Sequence, residues 1–148
     1  YYHDRLGVNS RLDAIQAAIL QVKLNYLDSY IVERQRAASK YDEVLAPFEW
    51  ITTPKRLPYC NHSFHQYVVR MDYELRKKVI TMLKSHNVAH NIYYPLPLQE
   101  QKAMAIFPKR NCPNTKEICQ EVLALPMHTE LTDDQIEYIA SIFKKIAP

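Results

Sequence analysis

Asn9 and Arg11 lie just beyond the chain's one glycine, Gly7, and immediately before a long helical pattern. An amide and a guanidinium at a helix start make a donor set for an anion. The first backbone N–H groups of a helix have no internal partner, and its dipole is positive at that end. The same residues also fit a plainer arrangement, with Asn9 capping the helix and Arg11 solvated. A second stretch with chemistry in it is Tyr93-Tyr94-Pro95-Leu96-Pro97-Leu98-Gln99, where Tyr94 offers a ring and a hydroxyl and Gln99 a neutral amide. With eleven tyrosines in the chain, a core or interface position is the favoured reading of Tyr94 from the residues alone. His62 and His65 suggest a metal pair but have no third ligand nearby. At a strand entrance their side chains would point to opposite faces, so no metal site is expected. His128, after Leu125-Pro126-Met127, is read as structural.

Composition narrows the function classes. At 148 residues and 47% hydrophobic, the chain can bury one ordinary core. A single glycine rules out the Gly-rich loops that cradle nucleotide phosphates on backbone N–H groups. The formal charge of +3 is modest, and Arg76-Lys77-Lys78, Lys109-Arg110 and Lys144-Lys145 are short runs interrupted by acids. They read as solvated surface, not as a nucleic-acid stripe. No apolar run reaches the roughly eighteen residues of a membrane span, and the start, Tyr-Tyr-His-Asp, has no signal-peptide pattern. Cys60, Cys112 and Cys119 match no zinc or redox spacing. An odd set of free thiols suits a reducing compartment, and the cytoplasm is the expected location. The chain opens as if within a motif, so it is expected to be a piece of a longer protein.

The elements that must carry these residues follow from periodicity. Leu12, Ile15, Ile19, Val22 and Tyr26 recur at helical spacing, and Leu27, Ile31, Ala38, Tyr41 and Leu45 continue on an adjacent stripe. A helix over about 10–46 would be roughly 50 Å long, a length that suits a bridge between two bodies. Its start is marked by Ser10 with Asp13 three residues on, and by Asn9 as a competing cap. Strands are expected at Phe64–Met71 and Ala89–Tyr94, with shorter ones at Phe48–Thr52 and Ala124–Met127. Helices are expected at Tyr73–Ser85 behind Asp72, at Gln99–Ile106, at Lys116–Leu123 behind Asn114 or Thr115, and after the Thr132/Gln135 capping box. The sum is an α+β fold, a small and mainly antiparallel sheet covered by helices, led by one long helix.

Gly7-Val-Asn-Ser-Arg-Leu-Asp-Ala-Ile-Gln-Ala-Ala-Ile-Leu20 resembles the segment that opens the C-terminal part of the DegT/DnrJ/StrS aminotransferases. The resemblance continues through Arg34 and Tyr41, His65-Gln-Tyr-Val-Val-Arg70, Tyr93-Tyr-Pro-Leu-Pro-Leu98, Leu125-Pro-Met-His128 and Leu131-Thr-Asp-Asp-Gln-Ile136. It implies the aspartate-aminotransferase fold (type I), a pyridoxal 5'-phosphate cofactor, a homodimer, and amino transfer from glutamate to a nucleotide-linked keto sugar. A branch of the family carries out dehydration instead. Residues 1–148 would then be the small C-terminal domain with its connecting helix. The cofactor-binding large domain and the Schiff-base lysine would lie upstream, so no catalytic residue is expected here.

By the same resemblance, Asn9 and Arg11 reach the cofactor phosphate of the neighbouring subunit, with Gly7 in a tight turn. Tyr94 and Gln99 belong to a loop near the sugar. Many family members have a histidine at the position of Gln99, and an amide there cannot move a proton. The chain alone is expected neither to hold the cofactor tightly nor to transaminate. An alternative from another class is a stand-alone α+β interaction or dimerisation module, for which the heptad-like spacing of Leu12 to Tyr26 speaks.

Overall fold

The computed structural model describes residues 1–146. Five α-helices and two strands follow in the order α1 (Ala14–Leu24), α2 (Leu27–Leu45), β1 (Tyr67–Arg70), α3 (Tyr73–Ser85), α4 (Pro113–Glu121), β2 (Val122–Leu125) and α5 (Asp133–Phe143). The strands pair antiparallel with Tyr67 opposite Leu125 and Arg70 opposite Val122. This is the expected α+β body with a small antiparallel sheet under helices.

Elements with their own end signals form where the sequence sets them. Asp72 caps α3 by accepting from the N–H groups of Glu74 (2.8 Å) and Leu75 (3.3 Å). Thr132 and Gln135 exchange both bonds of a capping box at α5, and Ile136, Ile139, Ala140, Phe143 and Ile146 are buried as the pattern requires. Asp133 and Asp134 complement the positive end of the α5 dipole.

The long N-terminal helix is divided. No glycine or proline marks the break; the N–H of Tyr26 turns to the Lys23 carbonyl (3.0 Å), an i→i+3 bond that tightens the end of α1 before α2 begins. The expected caps Ser10 and Asn9 give way to Asp13, whose carboxylate accepts from the Gln16 N–H at 2.9 Å. Along α2, Ala37, Ala38, Tyr41 and Leu45 enter the core. Along α1 nothing is buried: Ile15 is 76% exposed and Val22 63%.

Two expected strands shrink to single bridges. Thr52 pairs with Arg70, and Asn91 pairs with Ala124. After Asn91 the ladder is interrupted because its own side-chain oxygen accepts from the Ile92 N–H (2.9 Å), and Pro95 follows. Before Thr52, i→i+3 bonds from Phe48 and Ile51 keep the chain turning. β1 starts at Tyr67, not at Phe64, because Phe64 sits at φ 46°. The helix expected at Gln99–Ile106 is two 3₁₀ turns, Leu98–Glu100 and Lys102–Met104, hinged on an extended Gln101. α4 begins three residues early with Pro113 in its first turn, where a missing N–H costs nothing. β2 likewise lies two residues ahead of the expected span.

Arg76 is a charged residue at a buried position of α3, where a helical apolar face would put a leucine. Its Nη1 donates to the carbonyls of Cys119 (2.9 Å) and Val122 (3.2 Å), groups that the end of α4 leaves without helical partners. Burial lowers the guanidinium pKa, and the Tyr73 ring 5.4 Å away partly offsets this. Arg76→Met removes the donor while keeping most of the volume. We expect a loss of about 2–3 kcal/mol in urea unfolding with an unchanged m-value, the scale of hydrogen bonds made by a charged donor to buried carbonyls.

Candidate functional site

The segment before α1 carries the first two candidates. Asn9 accepts the N–H of Arg11 through Oδ1 (3.1 Å), and Arg11 adopts a left-handed backbone with φ 61°. Asn9 therefore shapes a local turn and does not cap the helix. Gly7 is not in the left-handed region and has no atom within 4 Å of where a Cβ would stand, so no tight turn at Gly7 requires it. Asp13 puts a negative charge at the helix end, which leaves Arg11 and the Asn9 amide nitrogen as the donors there. Neither has a partner among the described residues.

The second pair lies on the loop after Asn91. Tyr94 is exposed, and its ring meets those of Tyr1 (5.6 Å) and Tyr93 (5.7 Å) edge-on; the Tyr93–Tyr94 peptide is cis. Asn91 donates from Nδ2 to the hydroxyls of Tyr1 (3.1 Å) and Tyr93 (3.0 Å). Gln99 is half-buried and lines a small pocket of about 210 Å³ with Met104, Phe107, Arg110 and Cys112. Among the described residues, no hydrogen bond or ion pair joins Asn9 or Arg11 to Tyr94 or Gln99.

Sequence reasoning missed the group that ties down the N-terminal segment. Gln101 is buried, accepts from the His3 N–H and donates to the Tyr1 carbonyl, each at 3.0 Å. It sits in a polar run with no periodic signal. Arg34 donates from Nη1 to the carbonyls of Phe64 (3.2 Å), His65 (3.1 Å) and Met127 (3.4 Å), tying α2 to the entrance of β1 and to the chain leaving β2.

The histidines are used locally. His62 Nδ1 accepts from the Phe64 N–H (2.9 Å), with its ring 4.2 Å from that of Phe64. His128 stands 3.5 Å from the Glu130 carboxylate. It faces an apolar groove of about 850 Å³ between the 128–130 turn and the Leu20, Leu24 and Leu27 side of α1 and α2. Among the described residues no three His, Cys, Asp or Glu side chains converge as a metal cluster. Burial raises the Cys119 thiol pKa, which disfavours the thiolate and a nucleophilic role. No helix among the described residues is long and apolar enough to cross a membrane.

The family model for DegT/DnrJ/EryC1/StrS aminotransferases matches residues 1–144. The chain belongs to this family. It is 37% identical over 145 residues to a UDP-N-acetyl-3-dehydro-alpha-D-glucosamine 3-aminotransferase from Acidithiobacillus ferrooxidans, covering 98% of this chain and 38% of that protein. The fold superposes on S. venezuelae DesV with a TM-score of 0.82 at 28% identity, over 98% of this chain and 39% of that one. The PLP form of the putative sugar aminotransferase Spr1654 from Streptococcus pneumoniae gives a TM-score of 0.77 at 27% identity, over 91% and 36% of the two chains. The chain thus spans about two fifths of its relatives' length, and the matched region is their C-terminal part.

Asp13 is the one side-chain cap on α1, and α1 has no buried residue to help it. Asp13→Ala is expected to cost about 1 kcal/mol of local helix stability, or roughly fivefold faster amide exchange at Gln16 to Ala18. Amides of α5 should be unaffected.

Proposed function

We propose that this chain is the small C-terminal domain, with its connecting helices, of a pyridoxal-phosphate-dependent aminotransferase that acts on nucleotide-linked keto sugars with glutamate as amino donor. The match of residues 1–144 to the family carries this reading. The bound cofactor would supply the electron sink for amino transfer. The lysine that anchors it and the acid facing its ring nitrogen belong to the large domain upstream of residue 1.

Within this chain, Asn9 and Arg11 are the residues that would hold the cofactor phosphate of the neighbouring subunit. The donor set fits: an amide N–H₂ and a guanidinium, both exposed and without partners among the described residues, match phosphate oxygens by charge and hydrogen-bond polarity. Tyr94 would pack against the sugar or bond to it, and Gln99 would exchange neutral hydrogen bonds with it. Gln99 moves no proton. The parent would work as a homodimer in the cytoplasm, with no nucleic-acid or membrane partner. Three free thiols are compatible with that compartment.

The exposed stripe of Leu12, Ile15, Ile19 and Val22 supports a missing body, because a helix this apolar is ordinarily covered. The same stripe favours the second reading, a stand-alone interaction module. An absorbance spectrum of the full-length gene product with pyridoxal phosphate, before and after glutamate, separates the two. A bound-cofactor band that glutamate shifts supports the aminotransferase; a folded protein with no band supports the module. A band that glutamate leaves unchanged points to another donor or to the dehydrating branch. The 148-residue chain alone should show no stoichiometric cofactor absorbance and no transamination. In the full-length enzyme, Arg11→Ala should raise the Kd for pyridoxal phosphate by about ten- to a hundredfold, the scale of one charge-assisted contact, read by titrating the apo form.

A further inference from the structure

Gln101 is about 5% exposed, and a buried carboxamide is costly unless its donor and its acceptor are both used. Both ends bond to one stretch of backbone about a hundred positions earlier: Oε1 accepts from the His3 N–H and Nε2 donates to the Tyr1 carbonyl, each at 3.0 Å. The Ala103 N–H adds a third bond, to the His3 carbonyl at 2.9 Å. This clasp sets the Tyr1 ring edge-on against Tyr93 (5.2 Å) and Tyr94 (5.6 Å). Asn91, itself paired to Ala124 of β2, donates to the Tyr1 and Tyr93 hydroxyls. The loop that bears Tyr94 is therefore held from the sheet on one side and from the N-terminal segment on the other.

We propose that Gln101 is a positioning residue for the keto-sugar side of the site: it clasps Tyr1–His3 so that Tyr1 walls the Tyr93–Tyr94 loop and fixes where Tyr94 meets substrate. The proposal rests on the aminotransferase reading above. Only an amide does this at neutral pH. A leucine has neither group, and an ionised glutamate has no donor and turns a negative oxygen toward the Tyr1 carbonyl. A protonated glutamate regains both, since its hydroxyl donates to the Tyr1 carbonyl and its carbonyl accepts from His3. Burial raises the pKa of such a carboxyl, so its protonation sets in above the ordinary carboxylate range.

The test uses the full-length enzyme with Gln101→Leu and Gln101→Glu. Gln101→Leu is expected to raise the KM for the keto sugar by between about tenfold and a hundredfold, the cost of an ångström-scale misplacement, and to leave the glutamate half-reaction within about twofold. In Gln101→Glu, the mutant-to-wild-type ratio of kcat/KM for the sugar should climb as pH falls, because protonation restores the clasp. An unchanged sugar KM in Gln101→Leu, or a pH-independent ratio in Gln101→Glu, overturns the proposal. If Gln101→Leu does not fold, the Gln101→Glu profile decides alone. A wild-type enzyme that aminates no keto sugar defeats the parent reading instead. The clasp is then read from amide exchange at His3 and Ala103, which should speed about tenfold or more in Gln101→Glu at neutral pH and not in acid. Unchanged protection there also overturns it.

Discussion

Tyr41 stacks on Tyr67 with ring centroids 4.7 Å apart and planes 20° from parallel, and both side chains are fully buried. Each hydroxyl reaches a partner from inside the core: Tyr41 donates to the Pro126 carbonyl (2.9 Å), and Tyr67 donates to the Asp42 carboxylate (2.5 Å). Arg56 binds the other oxygen of Asp42 (2.6 Å) and lies 4.9 Å over the Phe64 ring. Burial holds both phenol pKa values well above the ordinary range, and the carboxylate beside Tyr67 adds to the shift there. The hydroxyls therefore stay protonated donors. One stack thus joins α2, the start of β1 and the segment leaving β2, the strand to which Asn91 is bridged through Ala124.

Local chemistry decides which parts of this arrangement were legible. The α3 and α5 boundaries could be read because each has a side-chain cap fixed in sequence, Asp72 and the Thr132/Gln135 box. The long-helix reading failed at Asn25–Tyr26 because the break is made by a backbone bond and by no residue that disfavours helix. Strands at 48–52 and 89–94 were overread because β-branched and aromatic residues signal a pleated surface but not the presence of a paired neighbour. Arg76 shows the limit of periodicity in the other direction: a buried position held by a charge, whose Nη1 donates to carbonyls at the end of α4 and the start of β2, more than forty residues away.

For the site, the family was legible from ordered motifs, while the supporting shell was not. Asn9, Arg11, Tyr94 and Gln99 sit in recognisable segments. The groups around those segments bond to atoms far away in sequence, Gln101 to the Tyr1 carbonyl and Asn91 to the Tyr1 hydroxyl, and a polar side chain with a remote partner leaves no local pattern. The expectation of a phosphate site at the helix end also changes character. With Asp13 occupying that end, the proposed phosphate contact would rest on the Asn9 amide and the Arg11 guanidinium with little help from the α1 dipole.

The seam between α2 and α5 has a consequence for how the chain is made. Arg36 pairs with Asp133, Lys40 with Glu137 (2.8 Å), and Phe48 meets Phe143, so the apolar face of α2 is closed by residues about a hundred positions further on. At roughly 5–20 residues per second of synthesis, α2 leaves the ribosome several seconds before its cover exists. Throughout that interval the α5-facing side of α2 lacks its cover. The small body can close only after α5 has emerged.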